Sequence, residues 1–257
     1  MKLPHGSFLS SARIGTSDEL QFAGMAILPI MQGMPAGEEL TELLHTEEKE
    51  RAAAFASESR RTSFIYGRIA AKLAILEVFP EAVAQEINIV NGAIGEPVIE
   101  WPGHEYSVSI SHSEHHSAGL VFPTGLLMGI DIETPEEKNR SIIPSILSPD
   151  EMELVKAANN SIEFLHLLWT AKEAAGKANG FGFRLPAEKY EIETEVSVNH
   201  DGIRYFLSRF KHLNGVDAIT RNLGGAVLSV AFPTGHYFQD QVIRLLSMQP
   251  MEKDPVF

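Results

Sequence analysis

Val121-Phe122-Pro123-Thr124-Gly125 recurs further along the chain as Ala231-Phe232-Pro233-Thr234-Gly235, and each copy closes an apolar run, residues 118–122 in one case and 226–232 in the other. Working outward from the repeat, the segments that precede each copy also correspond. Leu44-His45-Thr46-Glu47-Glu48 matches Leu147-Ser148-Pro149-Asp150-Glu151. Thr46 and Ser148 read as N-caps, with Pro149 at the first helical position and acids in the first turn. Residues 64–77 then match 167–177, an amphipathic helix in each half. Helix, helix, then strands in both halves predicts an α+β fold of two similar lobes related by a pseudo-two-fold axis, each a small, mainly antiparallel sheet packed with helices. The Pro-Thr-Gly turn separates two apolar runs and places the boundary there, giving lobes of residues 1–124 and 125–257.

With 257 residues, 44% of them hydrophobic, the chain has ample length to bury a core in each lobe. No apolar run reaches the length of a membrane span, and residues 1–15 lack the continuous hydrophobic stretch of a signal peptide. The expectation is a cytoplasmic protein that makes no membrane contact. The absence of cysteine excludes disulfides, thiolate metal sites and cysteine nucleophiles. A net charge of −13 argues against a general nucleic-acid binder, because phosphate backbones are held by Lys and Arg. The cations are nevertheless clustered: Lys49, Arg51, Arg60, Arg61, Arg68 and Lys72 fall within residues 49–72. They form either a cationic patch for a compact polyphosphate or a solvated helix face paired with the interleaved Glu47, Glu48, Glu50 and Glu58.

Two segments carry the chemistry. In Gly129-Ile130-Asp131-Ile132-Glu133, read with Leu126, Leu127 and Met128 as a buried strand, alternation points both carboxylates to one face, roughly 7 Å apart. In Trp169-Thr170-Ala171-Lys172-Glu173-Ala174-Ala175-Gly176-Lys177 the spacing i, i+4, i+8 puts Trp169, Glu173 and Lys177 along one helical stripe. Three acids without cysteine suit Mg²⁺, with Mn²⁺ as the alternative, and an added lysine suits phosphate chemistry.

These two patterns, in this order and separation, resemble the signatures of the 4′-phosphopantetheinyl transferases, specifically the longer, two-lobed Sfp-type members. Tyr106 to Ser113 resembles the family's Ser-His-Ser strand end, and Phe64 to Lys72 its Phe-x-x-Gly-Arg helix. The resemblance implies a Mg²⁺-dependent enzyme that transfers phosphopantetheine from coenzyme A to a serine of an acyl or peptidyl carrier protein, releasing 3′,5′-ADP. By the same resemblance Asp131, Glu133 and Glu173 are the metal ligands. Asp131, Glu173 and Lys177 are the catalytic residues, with Glu173 as the base. Arg51, Arg68, Ser111, His112, Lys172 and Lys177 contact coenzyme A, Lys172 being alternatively structural. The first lobe takes the nucleotide end of coenzyme A and the second the metal and catalytic helix. The expected state is a monomer.

Two positions depart from the family pattern. Gly95-Glu96-Pro97 has an acid where the family commonly has lysine, and Glu48 stands where some relatives have lysine; Arg60, Arg61 or Lys72 are then candidates to compensate. The stretch 134–148, with Lys138, Arg140, Ile142, Ile143, Ile146 and Leu147, is either a docking surface for an acidic helical carrier or a packed connection whose isoleucines are core. Three rival readings compete with this one. A zinc site on His112, His115 and His116 fails because adjacent strand residues face apart. A Mg²⁺ nuclease lacks a long basic surface. A non-catalytic carrier-protein or coenzyme A binder derived from a transferase has Glu96 in its favour and the intact Asp131, Glu133, Glu173 and Lys177 against it.

Overall fold

The computed structural model describes residues 3–14, 21–31, 37–180, 182 and 185–247; Met1, Lys2 and Gly15 of the opening segment lie outside them. The chain divides into two compact units. The first contains strands β1 (Phe8–Arg13), β2 (Phe22–Pro29), β3 (Asn88–Asn91), β4 (Pro97–Glu100), β5 (Tyr106–His112) and β6 (His116–Pro123), with helices α1 (Glu38–Thr41), α2 (Thr46–Ala53) and α3 (Glu58–Val78). The second contains β7 (Gly129–Glu133), α4 (Pro149–Ala157), α5 (Ile162–Ala178), β8 (Ile192–His200), β9 (Ile203–Phe210), β10 (Val216–Asn222) and β11 (Val227–Pro233). Helix α6 (His236–Leu246) starts in the second unit, but residues 244–247 belong to the first, where the Leu245 carbonyl accepts from Ser10 Oγ at 2.9 Å. The second unit therefore ends earlier than the sequence reading of 125–257.

Each unit is an antiparallel sheet covered by one long helix. The first sheet runs β1-β2-β6-β5, with β3-β4 as a separate hairpin, and the second runs β7-β11-β10-β9-β8. Both copies of the repeated Phe-Pro end the strand that pairs with β2 or β7: Val121 lies opposite Gly24, and Ala231 opposite Gly129. At those two glycines the covering helix comes down onto the sheet. A Cβ on Gly24 would collide with the Ala74 carbonyl of α3, and one on Gly129 with the Ala174 carbonyl of α5. Small residues on the helices, Ala70, Ala71 and Ala74 in α3 and Ala171, Ala174, Ala175 and Ala178 in α5, are buried against the sheets and permit this approach.

The short helices enter through matching caps, with one difference from the sequence reading. Ser148 caps α4 in a capping box with Glu151, as its position predicts, but α2 is capped by His45 and not by Thr46, which is already helical. His45 Nδ1 accepts from the Glu47 N–H at 3.3 Å, taking the place a hydroxyl would hold. Asn159 and Asn160, at φ 55° and 52°, reverse the chain between α4 and α5, a left-handed conformation that asparagine tolerates better than most residues. Leu126 and Leu127 precede β7 instead of belonging to it, and Leu127 is exposed. Among the described residues no helix is long and apolar enough to cross a membrane.

Candidate active site

The charged cluster of the second unit is assembled by the close approach at Gly129. Because α5 lies on β7 there, Lys177 reaches the strand: its Nζ is 2.6 Å from Asp131 Oδ1 and 3.2 Å from the Ile130 carbonyl. Asp131 is buried, and Lys177 is only partly exposed. One turn earlier on the same stripe stands Glu173, and one turn before that Trp169, whose Nε1–H donates to Glu133 Oε1 at 3.3 Å. Strand alternation and helical spacing thus place Asp131, Glu133, Glu173, Lys177 and Trp169 on facing surfaces of one unit.

Electrostatics perturb two carboxylates of this cluster strongly. Glu133 is raised to about 7 by burial and then by the Asp131 charge, against the opposing pull of the Trp169 N–H and Lys177. Glu173 is raised to about 7 by burial and by Asp131, with Lys177 again opposing. Perturbed carboxylates with named charge partners are a mark of functional sites. Among the described residues no group of three or more His, Asp or Glu side chains stands close enough together to hold a metal ion as placed. What the three acids offer is an open set of hard oxygen donors whose mutual repulsion a divalent cation would relieve, and in that chemical sense they fit Mg²⁺. Of the three histidines in the zinc reading, His112 ends β5, His116 starts β6, and His115 lies in the turn between them, outside either strand.

The cationic helix face of the first unit borders a cleft of about 430 Å³. Ser59, Arg60, Ser63, Phe64, Gly67 and Arg68 form its helical wall, and His112, at the end of β5, faces it from the sheet with Ile110. Arg68 is buried, donates to the Ile89 carbonyl at 2.9 Å and to Asn91 Oδ1 at 2.8 Å, and is lowered to about 10, first by burial. Its guanidinium carbon lies 4.7 Å from the centre of the Phe64 ring, and that of Arg51 lies 5.7 Å from the same ring. Ser111 is buried beside His112. Asn91, Ser59 and Ser63 stand outside the motifs, although the spacing 59, 63, 67 with 60, 64, 68 is a helical stripe that names both serines.

Four sequence assignments move. Lys172, assigned to coenzyme A, is fully buried, with its Nζ 2.6 Å from Glu151 Oε2 and 3.2 Å from the Ile146 carbonyl, so it is structural. Lys72 is likewise buried, 3.0 Å from Glu48 Oε2, and cannot compensate at a phosphate site. Glu48 is its internal partner and accepts from the Ile89 N–H at 3.0 Å, so its acid does not face a ligand. Glu96 turns back on its own hairpin, accepting from the Ile94 N–H at 2.9 Å, while Gly95 and Pro97 on either side line the cleft. In the stretch 134–148, Ile143 is core and Ile146 and Leu147 pack against it, whereas Ile142 is 62% exposed.

A buried aspartate paired with a lysine, beside two carboxylates whose pKa values are raised to about 7, is carried here on an α+β frame. Comparison with known proteins gives this arrangement its family. Residues 127–219 match the model of the 4′-phosphopantetheinyl transferase superfamily. The chain is 32% identical to the 4′-phosphopantetheinyl transferase Npt of Nocardia iowensis over 175 residues, which cover 62% of this chain and 76% of that protein. It is 31% identical to a holo-[acyl-carrier-protein] synthase of Staphylococcus epidermidis over 87 residues, 32% of this chain and 74% of that one. The crystal structure of Thermotoga maritima holo-[acyl-carrier-protein] synthase overlaps 45% of this chain and 70% of its own at 19% identity and a TM-score of 0.33. The chain belongs to the 4′-phosphopantetheinyl transferase superfamily.

Proposed function

We propose that this protein transfers the 4′-phosphopantetheine group of coenzyme A to a serine of an acyl or peptidyl carrier protein, with Mg²⁺, releasing 3′,5′-ADP. The observation that carries the reading is the Lys177–Asp131 pair with Glu133 and Glu173 beside it in a chain of this family. Asp131, Glu133 and Glu173 would hold the Mg²⁺, which when bound supplies neutralising charge to the pyrophosphate. Lys177, already fixed by Asp131, offers its ammonium to the phosphate oxygens as negative charge builds on the departing 3′,5′-ADP. The carrier serine oxygen bonds to the β-phosphorus, the phosphoanhydride bond breaks, and the serine proton passes to Glu173 as base. Trp169 orients Glu133 through its indole N–H.

The first unit takes the nucleotide end, with His112, Arg60 and Arg68 on its cleft and Arg51 stacked on Phe64 nearby. Exposed Ile142, with Lys138 and Arg140 close in sequence, supports a contact for an acidic helical carrier, although Lys138 pairs with Glu136 and Arg140 with Glu137. Both sets of residues lie on one chain, which supports action as a monomer, and the net charge of −13 supports a protein partner over nucleic acid; the cytoplasm is the compartment this reading proposes.

The test is the intact mass of an apo carrier protein after incubation with this protein, coenzyme A and Mg²⁺, with an EDTA control. A metal-dependent gain of one phosphopantetheine supports the transfer. Coenzyme A binding with no gain on any of several carriers would instead support the non-catalytic binder.

A further inference from the structure

The second unit contains a cleft that none of the residues proposed for the transfer lines. It holds about 410 Å³ and is lined by Phe164 and Leu167 of α5, Arg204 and Phe206 of β9, Asn222 of β10 and Val227 of β11, among others. Its position in the repeated frame is that of the first unit's cleft. Lys72 and Lys172 bind equivalent glutamates, and Ala74 and Ala174 press on equivalent glycines, so Phe164 takes the helical position of Phe64, and not Leu167 as the sequence match of 64–77 to 167–177 has it. On the sheets, His112 opposite Ser117 and Asn222 opposite Val227 are the last pairs of corresponding hairpins. The lining has changed within the same walls: Leu167 and buried Leu168 replace Gly67 and Arg68. Cationic groups arrive from the strands instead, as Arg204 and Arg221, with Glu163 as an acid on the wall.

We propose that this cleft is a second ligand site, for a compact anion carrying a flat ring, with a purine nucleotide as its occupant. Two phenylalanine rings supply faces for stacking, a guanidinium binds phosphate oxygens in a fork geometry, and the Asn222 amide, whose Oδ1 accepts from the Gly224 N–H at 2.8 Å, offers its N–H donors. Two arginines against one glutamate suit isolated phosphate groups better than a triphosphate chain. The volume lies at the small end of ligand pockets, about 300–1,000 Å³. The choice of a purine rests on the proposed nucleotide role of the first cleft; the existence of the site rests on its own lining.

The test is calorimetric titration with 3′,5′-ADP of the intact protein, of Arg204→Ala, and of the first-cleft variant Arg60→Ala with His112→Ala, each checked for an unchanged melting temperature. Two molecules per wild-type chain are expected, falling to one in either variant, with Arg204→Ala leaving carrier modification at its normal rate. One molecule per chain, kept by Arg204→Ala and lost in the first-cleft variant, overturns the second site and leaves the proposed function standing. One molecule lost only in Arg204→Ala upholds the second site and removes the nucleotide role of the first. No binding at millimolar ligand overturns the second site, while carrier modification still tests the transfer independently. If Arg204→Ala melts lower, Arg204→Lys replaces it, with binding at least tenfold weaker expected from loss of the fork.

Discussion

Lys172 stands in the second unit as Lys72 stands in the first. Each is a buried ammonium on a carboxylate, Lys172 at 2.6 Å from Glu151 and Lys72 at 3.0 Å from Glu48. Each carboxylate also accepts from its helix cap, the Ser148 N–H at 2.7 Å or the His45 N–H at 2.9 Å. Each accepts as well from the start of the next strand, the Ile192 N–H at 2.8 Å or the Ile89 N–H at 3.0 Å. One glutamate thus ties two helices and a strand together in each unit. Burial lowers the pKa of both lysines, and the paired glutamate opposes that shift in both.

Glu151→Gln leaves a buried ammonium without its counter-charge and is expected to cost about 3–5 kcal/mol. Lys172→Met should cost a similar amount. The double variant Glu151→Gln with Lys172→Met should cost less than the sum, because no unpaired charge remains. Urea unfolding of the three proteins measures this coupling, and additive costs would mean that the pair does not interact as its distance states.

Gly129→Ala should destabilise the second unit by about 1–3 kcal/mol, since the new Cβ meets helix backbone that cannot turn aside. The shift of α5 away from β7 would also lengthen the Lys177–Asp131 contact, so carrier modification should fall with stability. Gly24→Ala makes the same collision with Ala74 in the first unit and should destabilise without lengthening that contact. Melting temperature with an activity assay on the folded fraction separates the two outcomes.

Asp131→Ala removes the partner of Lys177 and a carboxylate of the proposed cation site, and Glu173→Gln removes the base and another. Either should lower carrier modification by about 10²–10³-fold or more while the far-ultraviolet circular dichroism is retained. Rates near wild type in either variant would end the assignment.

Cation affinity should rise with pH through about 7, where Glu133 and Glu173 lose their protons. Both groups are raised above the ordinary 4.5, so between 4.5 and 7 a cation must displace protons that the fold retains. Mn²⁺ titrations from pH 6 to 8 should show binding strengthening and proton release on binding, and a pH-independent affinity would remove these two carboxylates from the site.

His166 is buried and lowered from 6.5, chiefly by that burial. Its Nδ1 lies 2.8 Å from the Ile162 carbonyl and donates to it, which leaves Nε2 to accept from Asn139 Nδ2 at 3.2 Å. The neutral ring therefore joins α5 to the turn at Asn139. A depressed pKa means that its contribution is complete above 6.5 and is lost as pH falls through the lower folded value. Wild type should lose stability in that range more steeply than His166→Gln; parallel curves would show that the ring is not held neutral.

The amino-acid sequence alone determined the duplication, because Phe-Pro strand ends, N-cap signals and helical periodicity are local and survive in a string. It also determined which residues share a face, since alternation through Asp131 and Glu133 and the stripe Trp169, Glu173, Lys177 follow from strand and helix geometry. Tertiary packing decided what each charge does. Lys172 and Lys177 look equally suited to phosphate in the motif, yet the helix turns one inward onto Glu151 and the other onto Asp131. Positions matched through the two glycines carry Ala26, Leu28 and Leu73 in the first unit and Asp131, Glu133 and Glu173 in the second. One frame thus buries an apolar core in one copy and assembles a carboxylate cluster in the other. Which of these a duplicated position becomes depends on what faces it across the sheet and helix, and that relation exists only once the chain has packed.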